Sequence, residues 1–319
     1  MKSNADKTRK LKNVILIAGL ALAVAAAAGI AVMKTGNRPL TPKSQTTFQS
    51  PAEAGAALEH AAKNGDEAAL GKILGVDTKA LLTTGDQEAD KAAMQAFASK
   101  YEKMNRWVDM TDGSRVLYIG ADNFAFPVPL AKNSSGQWYF DALAGAEEVR
   151  ARDIGRNELL AIDACYALAD AEEIYYHTLG ASPEYQQLIS TSGKQGGLYW
   201  PLSQSQTTSP LGNSREFSRA PFDSYPPQEP LVTDGYTLRI LTAQGDDARG
   251  GAKSYMVDGR MTGGFAILAT PVKYGETGIM TFMISREGVV YERDLGPDTV
   301  KIEASIQQYN PDEYWSPVE

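Results

Sequence analysis

Histidine and cysteine are almost absent from this chain. Its 319 residues hold two histidines, His60 and His177, and one cysteine, Cys165. One cysteine closes no intrachain disulfide. Neither histidine has a cysteine or a second histidine at ligand spacing, which argues against a structural zinc site. The same scarcity removes the base that a Ser-His or Cys-His nucleophile needs. Cys165 sits among Ala, Tyr and Leu on a helical stretch and reads as a small buried hydrophobe rather than a reactive thiol. Positive charge is scarce in the body of the chain. Of 31 bases and 39 acids, residues 1–38 hold seven bases and one acid, which leaves 24 bases against 38 acids elsewhere. Such an acidic body repels phosphate backbones, and no basic patch offsets it, so nucleic acid is not an expected partner. Internal repeats are missing. The glycines of Gly245–Gly251 and Gly259–Gly264 lack the order of a phosphate-binding loop, Gly251-Ala-Lys253-Ser254 being only a near miss, and suit β-turns. Asp246, Asp247 and Asp294 lack EF-hand spacing. No cofactor and no metal are expected.

What is present begins with a basic flank, Lys2, Lys7, Arg9, Lys10 and Lys12, ahead of an uncharged apolar run, Val14–Met33. At 1.5 Å of rise per residue this run spans about 30 Å, the thickness of a hydrocarbon core. The flank is expected to stay inside and the body to be exported. Two readings of residues 1–33 stand. Ala25–Ala28 offers Ala-x-Ala sites for a cleaved signal peptide, while the continuation through Ile30, Val32 and Met33 suits an uncleaved anchor. No cysteine follows, which excludes a lipid-anchored form.

Hydrophobic residues at 43% and charged residues at 22% are a globular composition. Residues 34–49 read as a linker. Residues 50–141 read as a small α+β domain, helices first and then a short antiparallel sheet. Ser50-Pro51 caps a first helix, Asn64-Gly65-Asp66 ends it and caps a second that Gly75 closes, and a third runs from about Glu88 to Lys103. Strands are expected at Val116–Ile119, Phe124–Leu130 and Gln137–Phe140. Residues 142–178 read as a spine helix whose apolar stripe is Leu159, Ile162, Tyr166 and Ala169. Residues 179–233 form a Pro/Gly-rich stretch too long for an ordinary connection. Residues 234–302 read as an antiparallel β domain, with strands at Tyr236–Leu241, Ser254–Val257, Phe265–Thr270, Ile279–Ile284 and Val289–Tyr291, and residues 303–319 as a tail. The third and fourth of these strands are apolar on both faces, so they need cover on both sides. The stripe on the spine is expected to supply one cover. The Pro/Gly-rich loop, anchored by Leu198, Tyr199 and Trp200, is expected to supply the other.

The helices-then-sheet order of the first domain resembles small cone-shaped domains of the nuclear-transport-factor-like type. A larger resemblance is carried by Ser50-Pro51, Thr84-Gly85-Asp86 with Asp90, Phe126-Pro-Val-Pro-Leu130, Trp138-Tyr-Phe-Asp141 and Ile154-Gly-Arg-Asn-Glu-Leu159. It continues through Leu198-Tyr-Trp-Pro201, Ser209-Pro-Leu-Gly212, Arg239–Gly245, Gly263–Phe265 with Met280–Phe282, and Val290–Gly296. In these segments the chain is similar to the bacterial envelope proteins grouped as domain-of-unknown-function family 2950. That resemblance implies a location outside the cytoplasm and no defined activity. Asp153 stands where the family pattern suggests arginine, and Gly196 where aspartate is usual. Within the same span, Asn157–Ile162, Gly235–Leu238, Tyr255–Val257, Ala269–Pro271, Thr277–Phe282 and Gly288–Val290 resemble the globular domains of pseudopilins. The pilin cleavage pattern is missing, so this implies a pilin-like C-terminal fold without filament assembly.

The densest polar cluster is Glu147, Glu148, Arg150, Arg152, Asp153, Arg156, Asn157 and Glu158. Glu148, Arg152 and Arg156 have the spacing of helix ion pairs, and the cluster reads first as a structural network. Arg152 and Arg156, with Asn157, are also candidates to grip a carboxylate or anionic glycan, and Tyr199 and Trp200 to stack a sugar or peptide. The expected function is a non-enzymatic binding or scaffold role in the cell envelope, with an envelope protein or glycan as partner, and the inner membrane too if the N-terminal helix is uncleaved. The alternative is an envelope hydrolase acting on glycan or peptide, with Glu148 and Glu158 as catalytic carboxylates.

Overall fold

A computed structural model describes residues 45–75, 86–178, 183–187, 189, 197–200, 208–212 and 230–318. The expected membrane helix, most of the linker, Gly196 and much of the Pro/Gly-rich stretch lie outside the described residues. Among the described residues, no helix is long and apolar enough to cross a membrane. Helices and antiparallel sheets make an α+β protein in two units, Met1–Arg150 and Ala151–Glu319.

In the first unit, polar side chains start each helix by taking orphan amides of the first turn. Ser50 Oγ accepts from Glu53 N at the head of α1 (Pro51–Asn64), and Gly65 ends it at φ 64°. Asp66 caps α2 (Glu67–Leu74), and Asp86 caps α3 (Gln87–Lys103) by accepting from the amides of Glu88 and Ala89. The sheet contains β1 (Asn105–Asp109), β2 (Arg115–Ile119), β3 (Phe124–Ala125), β4 (Leu130–Lys132) and β5 (Trp138–Phe140), in the order β1-β2-β4-β5, with β3 beside β2. The single strand expected over Phe124–Leu130 is in fact two. Pro127 and Pro129 carry no N–H to donate to a ladder, and they fall in the gap. The unit also begins earlier than expected, since Phe48 pairs with Trp138 through mutual backbone bonds of 2.8 Å. Leu58, Leu70, Phe97, Leu117, Ile119 and Phe140 meet in its core.

The long helix α4 spans Ala142–Thr178, and Asp141 starts it by accepting from Ala144 N at 3.1 Å. From Ala151 onward it belongs to the second unit. There the chain forms β6 (Leu231–Thr233) and β7 (Tyr236–Leu241). Two small antiparallel pairs follow, β8 (Ala243–Gln244) with β9 (Lys253–Ser254) and β10 (Met256–Val257) with β11 (Arg260–Met261). Next come β12 (Ala266–Pro271), β13 (Met280–Ser285), β14 (Val290–Asp294), the short helix α5 (Thr299–Glu303) and β15 (Ser316–Pro317). The main sheet has the order β15-β14-β13-β12-β7-β6. Every residue of β12 is buried, and so are five of the six in β13, as their two-sided apolarity demands. In register, Ile267 lies between Ile240 and Ile284.

The helix does pack on this sheet, but of the expected stripe only Ile162 and Ala169 take part. Its buried face is Ala161, Ala164, Cys165, Leu168 and Ala171, whereas Leu159 and Tyr166 are 49% and 43% exposed. At about 100° per residue, Leu159 and Tyr166 fall on the far side from Leu168, with Ile162 and Ala169 on the flank. Side-chain size misled the reading. Alanines and a cysteine flank Leu168 on the buried face, and Leu159 and Tyr166 are left outside.

The cover of the opposite sheet face also differs from expectation. Alternation puts Arg239 on the face away from Tyr236 and the helix, and its guanidinium donates to the carbonyls of Glu303, at 3.0 Å, and Ile306. Tyr309 exchanges backbone bonds of 3.0 Å with Ala243 and Gly245, Trp315 is buried, and β15 pairs with β14. The expected tail, residues 303–319, is thus over its described part a strap across the sheet. The described part of the loop packs beside the helix instead. Tyr185 stacks on Tyr176 at 4.4 Å, and Ile189, Leu198, Trp200 and Leu211 are buried.

Candidate functional site

The polar cluster of α4 is divided between the two units. Glu147, Glu148 and Arg150 lie in the first, and Arg152, Asp153, Arg156, Asn157 and Glu158 in the second. Glu148 and Arg152 are half-buried. Arg156 pairs with Asp153, one turn back, and both side chains are about one-third exposed. Asp153 is therefore that arginine's counter-ion. Exposed pairs of this kind contribute roughly 0–1 kcal/mol, so Arg156 carries less of the fold than a buried network would have required.

Asn157 and Glu158 do more. Asn157 is buried at 7% exposure and donates from Nδ2 to the Thr277 carbonyl at 2.9 Å. Glu158 Oε1 accepts from the amides of Ile279 at 2.8 Å and Met280 at 3.0 Å. One turn of the helix thereby fixes the turn that opens β13. Gly235, at φ +82°, is part of the fit. A Cβ there would stand 2.9 Å from Thr277 Cβ, too close to be tolerated without a shift, and a tight 3.1 Å from Asn157 Nδ2. Tyr236 lies against the same turn and donates from its hydroxyl to the Met280 carbonyl at 2.8 Å. Burial, and after it the charge of Glu158, pushes that hydroxyl far above the usual tyrosine range.

A third participant, Glu292 on β14, was not legible as one. Burial and, to a smaller degree, the Glu158 charge hold its carboxyl above the usual carboxylate range. Because the folded form keeps this proton to higher pH than the unfolded chain, the stability it contributes is complete in acid and is lost as pH rises through the folded value. Glu292→Gln is therefore expected to raise the melting temperature at pH 7 by on the order of one or two degrees. At pH of about 3, where both forms of the wild type are protonated, the gain should vanish. Calorimetric scans at the two pH values check this, and an equal shift at both would refute it.

The remaining candidates sit elsewhere. Trp200 is 2% exposed, and Tyr199 is half-buried against the core of the second unit. Burial pushes the Cys165 thiol up to about 12, so it holds no thiolate near neutrality. Among the described residues, no group of three His, Cys, Asp or Glu is placed to hold a metal ion. A cleft of about 410 Å³ opens between β13, β14 and the strap, and none of the residues singled out for binding or catalysis lines it. The signal that could have found it is the aromatic and amide content of Gln307–Trp315, which has no helical or strand period to explain it.

What the chain resembles can be set beside this geometry. A family model described as a protein of unknown function, DUF2950, matches residues 45–318. The chain belongs to this family. No curated protein and no solved structure matches. The DUF2950 match includes both units, so the segment from Gln45 through the strap is one family architecture.

Proposed function

We propose that this member of the DUF2950 family is a non-enzymatic binding or scaffold protein of the bacterial cell envelope, exported or anchored with its body outside the cytoplasm. One observation carries the non-enzymatic half of this reading. Asn157 and Glu158 are committed to the backbone of Thr277, Ile279 and Met280. A carboxylate oxygen that already accepts from two amides of its own chain is aimed at that chain and away from a ligand, which suits a clasp better than an acid or base. The location rests on the basic flank and apolar run of residues 1–33. The pilin-like character of the second unit is likewise part of the proposal, supported by a long helix packed on an antiparallel sheet.

Capture from solubilised envelopes with the full-length chain, followed by mass spectrometry that retains glycan fragments, tests the reading. Wild type and Glu148→Gln are expected to retain the same partner, with no turnover of it. Hydrolysis of envelope glycan or peptide that Glu158→Gln abolishes without lowering the melting temperature would establish the hydrolase alternative instead.

A further inference from the structure

The cleft beneath the strap has a chemistry of its own. Met283, Arg293, Asp294 and Leu295 line it from the sheet side, and Ile306, Gln308, Asn310 and Trp315 from the strap. Its volume of about 410 Å³ lies within the roughly 300–1,000 Å³ typical of small-ligand sites. Arg293 has Asp312 at 3.6 Å, and Asp294 stands next to it in the chain. The cleft thus presents both signs, and a charged ligand would meet repulsion along with attraction.

What remains is apolar surface from Leu295, Ile306 and the edge of Trp315, interleaved with planar hydrogen-bonding groups. The amide of Gln308 is exposed at the rim. Tyr314 is 65% exposed next to the buried Trp315, with the Arg293 guanidinium 5.0 Å over its ring. One more feature is an orphan. Thr281 Oγ1 is fully buried without a hydrogen-bond partner, and Thr281 is the cross-strand neighbour of Arg293 on the face that also carries Met283. Thr281 lies behind the lining of the cleft and is not part of it.

We infer that this cleft binds an uncharged saccharide. A sugar ring offers C–H faces to Trp315 and, beside the cleft, to the Tyr314 ring, with hydroxyls that accept from Arg293 and both donate to and accept from Gln308. It carries no charge for the acidic body to repel. This inference rests on the binding reading above and names its ligand class.

The test uses the full-length protein in a non-glycosidic detergent, titrated calorimetrically with chitotriose, cellotriose, maltotriose and trigalacturonate, and sedimented with purified cell-wall sacculi. At least one uncharged trisaccharide, or the sacculi, should bind, with trisaccharide affinities between roughly 10 μM and 10 mM. Gln308→Ala and Tyr314→Ala, both exposed positions, should weaken binding about tenfold each while melting stays unchanged. Trisaccharide binding places the source among soluble sugars, and sacculus binding alone places it in wall glycan. Tighter binding of trigalacturonate, undiminished binding by both variants, or no saccharide bound at about 10 mM would overturn the inference. If a partner is still captured from envelopes in that case, the binding reading survives and only the saccharide is lost.

Discussion

Leu168→Asp is expected to unfold the second unit. Leu168 is fully buried at the centre of the α4 face that packs on the sheet. Aspartate there would exchange roughly 1.5–3 kcal/mol of apolar burial for a carboxylate without a partner, whose desolvation costs several kcal/mol more. The sum rivals the roughly 5–15 kcal/mol that a whole domain has to lose. Tyr166→Asp, on the exposed far side, should stay within about 0.5 kcal/mol of wild type, and Ile162→Asp on the flank should fall between. Urea titrations followed by near-ultraviolet circular dichroism rank the three. If Tyr166→Asp unfolds the unit and Leu168→Asp does not, the helix is phased wrongly.

Removal of residues 303–319 is expected to do comparable damage, although this stretch resembles a dispensable tail in composition. It would strip Tyr309, 3% exposed, and Trp315, 8% exposed, from the sheet, expose the edge of β14, and leave Arg239 without the Glu303 and Ile306 carbonyls. An aromatic lost from a core typically costs 3–5 kcal/mol, and two are lost together with backbone pairing. The truncated chain should retain a cooperative transition from its first unit and lose the second. Amide exchange read unit by unit decides, and full protection of β12 and β13 in the truncated chain would show the strap to be ornamental.

These two results bear on what the sequence made legible. Helix starts at Ser50 and Asp66 were readable because a cap and its amides are at most three residues apart, whereas the cap at Asp86 went unread and the third helix was expected only from about Glu88. Strand β7 was readable to the residue from its alternation, and β12 and β13 to within one because two-sided burial leaves a continuous apolar run. The misreadings share a cause, which is that packing partners distant in sequence decide them. The helix phase was set by which face, with Leu168 among small residues, the sheet buries, and the strap by backbone bonds and two aromatics with no period between them. In the candidate site, Asn157 and Glu158 stood out as charge and amide in a cluster. Their partners at Thr277, Ile279 and Met280, some 120 residues away, carry no side-chain signal, because it is their backbone that is used. Glu292 was missed for the same reason, since only the folded sheet brings it near Glu158.

The claim that this cluster is a clasp can be measured at the two amides it holds. Amide hydrogen exchange at Ile279 and Met280 should be slow in the wild type. In Glu158→Gln, which replaces a charged acceptor with a neutral one, exchange at both should quicken about tenfold or more, with a lower melting temperature and unchanged capture of the envelope partner. Unaltered exchange at both amides and unaltered melting, together with lost capture or lost turnover, would show that Glu158 serves a ligand and not the fold.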